Sequence, residues 1–230
     1  MAQHQVVDSA AWRDARLALL QREKDFTRLR DELSAARRAM PWEEVTKSYV
    51  FDAEKGKTSL AGLFEGRRQL IVQHLMFAPG WDVPCKSCSF WADSYNGIDV
   101  HLAQRDVTFV AVSRAPLAAL LAFRARMGWS FEWVSSGGST FDADYHAAFT
   151  PGAPGEYNYR PFNGTATDMP AISVFARDEA GKVFHTYSCY SRGIDIMNAA
   201  YNYLDITPEG RNETTSHPME WVRLHDQYET

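Results

Sequence analysis

The sequence predicts a layered α/β fold in which buried strands alternate with helices, and three observations carry that expectation. Two apolar runs, Leu70–Phe77 and Val107–Val112, have the length and β-branched content of strands buried on both faces. A helical stretch, Ala115–Met127, follows the second run and stops at Gly128, and a short strand, Phe131–Val134, comes next. The third is a terminal hairpin: Ala171–Ala176, a turn over Asp178–Gly181, then Lys182–Cys189. Strands and helices in alternation imply parallel crossovers, and the hairpin adds antiparallel strands to the same sheet.

The elements follow in order. Residues 1–45 read as an N-terminal helical extension and residues 46–230 as the α/β domain. Within the extension, Ser9 can cap a long helix and Pro41 ends it, because the residue before a proline is pushed out of helical dihedrals. Trp12, Leu19, Phe26, Leu33 and Met40 recur every seven residues, with Ala15, Leu29 and Ala36 between them and Arg22 interrupting. This narrow apolar seam suits either packing on the helix's own domain, the favoured reading, or pairing with a second copy. Ser48–Phe51 is a short strand, followed by turn material at Glu54–Lys57. From Ser135 to Met169 the periodicity dissolves into Gly, Pro, Tyr and Asn, as in a functional loop or insertion. Ile194–Leu204 is expected to be the last core helix, and Glu220–Tyr228 a short helical tail.

The densest chemical signal is Trp81-Asp82-Val83-Pro84-Cys85-Lys86-Ser87-Cys88, between the first apolar run and a stretch free of Pro and Gly up to Gly97. A cysteine at a helix start meets unpaired backbone N–H groups and the positive end of the helix dipole, both of which favour its thiolate. A second cysteine one turn on is within disulfide reach. Two other readings fit a CxxC. One is a pair of inert buried thiols. The other is half of a zinc site, which His185 and Cys189 would have to complete. Those two lie in a strand-like segment, and four residues of strand span roughly 13 Å, too far for two ligands of one ion unless the segment bends.

Strand, cysteine pair, helix, strand, helix, hairpin, helix is the thioredoxin order, extended at the N-terminus and interrupted before the hairpin. Such folds place a proline just before the first hairpin strand, and Met169-Pro170 stands there. A cis bond is expected at Pro170, turning the backbone towards the cysteines as a ledge for an extended partner. Trp81, Pro84, Met169 and Pro170 are the candidate substrate-binding residues.

Much of the chain resembles a bacterial thioredoxin-like family of unknown function, usually labelled predicted dithiol-disulfide oxidoreductase. The resemblance runs through Pro41-Trp42, Gly66–Leu70, His74–Phe77, Cys85–Asp93, Arg105–Val107, Ser113–Leu117 and Arg126–Trp129. It continues through Ser173–Asp178, Val183–Ser188 and Tyr201–Asp205. It implies a thioredoxin-like fold and a dithiol activity. Cys189 departs from the family's threonine at that position and receives no shared catalytic role.

The favoured function is thiol-disulfide exchange on a protein or small disulfide, with Cys85 the nucleophile and Cys88 the resolving thiol. Lys86 adds a nearby cation, while His74 and Asp82 are possible proton-transfer groups. The alternatives are a thiol peroxidase and a non-catalytic module that carries a soft metal. A peroxidase usually has a threonine three residues before its reactive cysteine, and Asp82 occupies that position. No cofactor or metal is expected. A net charge of −5 gives no reason to expect nucleic acid. No apolar run approaches the roughly 20 residues that span a bilayer. The odd count of three cysteines fits a reducing compartment, so the expected location is the cytoplasm.

Overall fold

A computed structural model describes residues 4–213 and 218–229. The chain divides into two compact units, Met1–Pro41 and Trp42–Thr230. The first is built on one helix, α1 (Ser9–Arg38). Its cap is Asp8 rather than Ser9: Asp8 Oδ1 accepts from the Ala11 N–H at 2.8 Å. No residue of α1 is buried, and the seam from Trp12 to Met40 is exposed along its length. The stripe is one large side chain wide, with alanines and Arg22 between.

The second unit holds one eight-stranded sheet. Its strands are β1 (Glu43–Glu44), β2 (Val50–Ala53), β3 (Gly56–Ser59), β4 (Gln69–His74), β5 (Val107–Ser113) and β6 (Glu132–Ser135), then the distant pair β9 (Ala171–Arg177) and β10 (Val183–Tyr190). A separate small hairpin, β7 (Gly155–Tyr157) and β8 (Arg160–Phe162), lies between them in sequence. The order across the large sheet is β1-β10-β9-β4-β5-β6-β2-β3. Strands β4, β5 and β6 run parallel; β9 lies antiparallel to β4, and β10 antiparallel to β9. A central parallel pair with a terminal hairpin added on its other side is the thioredoxin-like arrangement.

Alternation along the strands sorts side chains to two faces. Ile71, Phe109, Ala111 and Ile172 share one cluster with Cys88 and Trp91 of α2 (Lys86–Ala92). Further residues of that cluster, Leu120 and Phe123, come from α4 (Leu117–Arg126), which follows the short α3 (Ile98–Ala103). Leu70, Val72, Val110, Val112 and Phe175 point the other way, against Leu63, Phe64 and Phe141, the last from the single turn α5 (Phe141–Asp144). The sheet is thus the middle of three layers.

Several expectations change in detail. Glu54–Lys57 is the tip and return of a hairpin: β3 begins at Gly56, whose φ of 110° only glycine adopts easily. The region 135–169 carries structure after all. Its hairpin turns at Asn158-Tyr159, both at positive φ (53° and 59°), as a two-residue turn between right-twisted strands requires. The expected helix over 194–204 is a 3₁₀ stretch, Ser191–Met197, followed by α6 (Ala199–Leu204). Asn198 separates them because its side chain caps α6, accepting from the Tyr201 N–H at 3.0 Å. The helical tail reduces to one 3₁₀ turn, His225–Gln227.

Candidate functional site

The cysteine pair stands where the parallel strand β4 hands over to α2. The Cys85 N–H donates to Met76 O at 2.9 Å, tying the loop back to the chain just beyond β4. Cys85 is the N-cap of α2 and is half-buried; Cys88, one turn inside, is 1% exposed. Both are free thiols. The Cys88 thiol donates a hydrogen bond to Cys85 Sγ, and the backbone N–H groups of Cys88 and Ser87 point to the same sulfur. Those donors outweigh the cost of desolvating a charge and bring the Cys85 thiol down to about 6. The same contact, with complete burial, pushes Cys88 well above the ordinary thiol range. At neutral pH one sulfur is anionic and the other holds the proton, a split that the CxxC spacing alone did not quantify.

Both cysteines line a cavity of about 710 Å³. Met169 and Pro170 line it too, whereas Trp81 and Pro84 are not among its lining residues. Pro84 is buried beneath the loop and Trp81 is half-exposed on its outside. The Met169–Pro170 peptide is trans, not cis. Pro170 leads straight into β9 in an ordinary strand-opening position. The flanking backbone is engaged within the chain: the Met169 N–H donates to Ala147 O at 2.9 Å, and Pro170 O accepts from Tyr157 Oη at 2.8 Å.

The remaining sequence candidates are placed differently. Lys86 turns away from the sulfurs and donates to Glu220 O at 2.9 Å. His74 lies on the sheet face opposite α2, stacked on Phe141 at 5.3 Å between centroids. It is 2% exposed, and both ring nitrogens are bonded, Nδ1 to Asp142 at 2.7 Å and Nε2 to Ser173 Oγ at 3.1 Å. This makes it a satisfied structural histidine, with no path to the thiols. His185 Nε2 lies 2.7 Å from Ser188 Oγ, and burial lowers its pKa. Cys189 is buried in the same apolar cluster as Cys88.

The sequence reading missed most of the cavity wall. Tyr157 comes from the β7–β8 hairpin, Arg192 and Asp195 from the 3₁₀ stretch after β10, and Tyr201 from α6. Arg211, Glu213 and Met219 come from the C-terminal segment. Glu213 Oε1 gathers Tyr201 Oη at 2.6 Å, Trp221 Nε1 at 2.7 Å and the Met219 N–H at 3.1 Å. Arg211 is held by both oxygens of Asp205 and lies 3.8 Å over the Tyr201 ring. The one available signal was Tyr157-Asn158-Tyr159, an aromatic cluster in an otherwise turn-rich stretch.

A family profile described as bacterial protein of unknown function (DUF899) matches residues 1–228. No curated protein matches the chain. Among solved structures it is similar to peroxidoxin BcpB from Mycobacterium tuberculosis, at 13% identity and a TM-score of 0.46, covering 70% of this chain and 95% of that one. It is similar to a peroxiredoxin Q structure from Xanthomonas campestris at 11% identity and TM-score 0.49, covering 70% and 93% of the two chains. A mitochondrial 1-Cys peroxiredoxin from yeast gives 12% identity and TM-score 0.43, covering 72% and 78%.

Proposed function

Since the chain belongs to the bacterial family of unknown function DUF899, whose name states no reaction, we propose from the thiol site itself that it is a dithiol-disulfide oxidoreductase. The observation that carries the reading is the split between the two thiols: Cys85 is lowered to about 6 and faces the cavity, while Cys88 is raised and buried one turn behind it. The Cys85 thiolate attacks one sulfur of a substrate disulfide. A mixed disulfide forms, and the first substrate half leaves as a thiolate. Cys88 then gives up its proton, attacks Cys85 Sγ and expels the second half. Two electrons pass from the dithiol to the substrate, and an external thiol restores the dithiol for the next turnover. Met169 and Pro170 border the path of the incoming disulfide. No cofactor enters this chemistry.

The test is trapping. A Cys88→Ser variant accumulates a mixed disulfide with substrate, and Cys85→Ser forms none. A wild-type protein whose two thiols fail to form a disulfide under mild oxidant rules the reading out.

The exposed seam of α1 supports a second copy of this chain as its partner. In a parallel pair, Asp25 faces Arg30 of the other helix and Glu32 faces Arg37, opposite charges flanking Phe26, Leu29 and Leu33. Arg22 reduces the stability of that pairing. Sedimentation equilibrium of wild type and Phe26→Asp tests it: a dimer that the substitution leaves intact excludes this seam. Three free thiols support a reducing, cytoplasmic setting. No described helix is long and apolar enough to cross a membrane.

A further inference from the structure

We infer that the dithiol acts on low-molecular-weight disulfides with an apolar body, and not on the disulfides of folded proteins; this rests on the dithiol reading above. A protein disulfide reaches a thioredoxin-like site by laying extended chain along free backbone groups beside the cysteines. Here two of those groups are occupied. The Met169 N–H is bonded to Ala147 O, and Pro170 O to Tyr157 Oη. The insertion is itself anchored alongside, through Phe149 N–H to Thr167 O at 2.9 Å and a bridge between Ala148 and Asp168. The chain's own insertion sits where a partner strand would add.

The other side of α2 is covered as well. Phe90 packs edge-on against Tyr201 at 5.2 Å and Trp221 at 5.4 Å between centroids, and Lys86 holds Glu220 O. What stays open between the two covers is the cavity, and about 710 Å³ is the size of a small-molecule site. Met76, Trp91, Tyr157, Met169 and Met219 give it apolar walls. Charged groups that line or flank it are bonded within the chain, Arg211 to Asp205 and Asp195, and Glu213 to the Tyr201 hydroxyl and the Trp221 indole N–H.

The chemistry balances without further reagents in a single turnover. Cys85 and Cys88 are oxidised to one disulfide, and the substrate disulfide is reduced to one thiol, which takes the Cys88 proton, and one thiolate, which takes its proton from water. For repeated turnover the co-reactant is an external thiol.

The experiment mixes reduced protein with oxidised lipoamide, hydroxyethyl disulfide or insulin and follows tryptophan fluorescence to completion. Each rate is divided by that of dithiothreitol with the same disulfide, which removes intrinsic reactivity. The expected normalised rate for lipoamide, which carries an apolar chain, exceeds that for insulin by about a hundredfold or more, with saturation at high concentration. Normalised rates for insulin equal to those for lipoamide overturn the substrate class and leave the dithiol reading standing. If none of the three disulfides oxidises the protein, the dithiol reading fails and this inference fails with it.

Discussion

The Cys88 thiol donates its hydrogen bond to Cys85 Sγ from one helical turn away, and this contact is the largest influence on the charge of both sulfurs. It lowers one thiol by stabilising its anion and raises the other by holding its proton in place. Neither effect needs a separate base. Lys86, the nearest cation in sequence, is committed to Glu220 O.

Alkylation of Cys85 by iodoacetamide is therefore expected to titrate with a midpoint of about 6. Cys88→Ala removes the largest cause and should move that midpoint up towards the ordinary thiol value of ~8.5. Cys88→Ser keeps a hydroxyl donor and should move it less. Equal midpoints in wild type and Cys88→Ala would show that the backbone N–H groups of Ser87 and Cys88, not the thiol, set the charge.

The same split predicts how stability depends on pH, with opposite signs for the two sulfurs. Cys85 has its folded pKa depressed to about 6. Its contribution is fully present above the unfolded thiol value of ~8.5 and is lost as pH falls through 6. Cys88 has its folded pKa raised, so above ~8.5 the unfolded chain sheds a proton that the folded chain keeps, and stability declines. The reduced protein should gain stability from pH 6 to about 8.5 and lose it beyond, relative to the oxidised protein, which has neither titration. Urea midpoints of both forms across this range measure it. Parallel profiles for reduced and oxidised protein would contradict the assigned charges.

The α/β alternation, the order of the core elements along the chain and the place of Cys85 at a helix start were legible because each rests on local pattern: β-branched runs, a glycine stop, the spacing of two cysteines. The cavity was not legible. Tyr157, Arg192, Glu213 and Met219 come from three segments with no periodicity of their own, and only the folded chain brings them together. Pro170 shows the same limit from the other direction. Its position before β9 was read correctly, but its peptide is trans, and the flanking backbone is bonded to Ala147 and Tyr157, which lie in the stretch where sequence pattern dissolves. His74 was ambiguous by itself; Asp142, Ser173 and Phe141 make it structural.

Asp142 gives a stability prediction separable from the site. It is 4% exposed and accepts from His74 and from Ser136, on the sheet face away from the thiols. Asp142→Ala leaves the buried His74 Nδ1 without its partner and should cost about 3 kcal/mol in urea unfolding. The Cys85 alkylation midpoint should stay at about 6 in this variant. A shifted midpoint would place His74 and Asp142 in the thiol chemistry after all.

Arg114 and Asp168 connect the two halves of the cavity's support. Arg114 follows β5, and its guanidinium holds Asp168 through Nε at 2.7 Å and Nη2 at 2.8 Å while also donating to Thr167 O at 3.3 Å. Asp168 directly precedes the wall residues Met169 and Pro170, so this fork fixes the insertion to the central sheet. Asp168 is nearly buried and Arg114 only partly so, which places the cost of removing one partner at about 2–3 kcal/mol, below that of a fully buried pair. Arg114→Lys keeps a charge but loses the two-point geometry and should recover only part of that stability. Because the wall moves with the insertion, Arg114→Ala should also speed insulin reduction relative to lipoamide reduction. Loss of stability with no change in that ratio would mean that the wall is held by the Ala147 and Tyr157 hydrogen bonds alone.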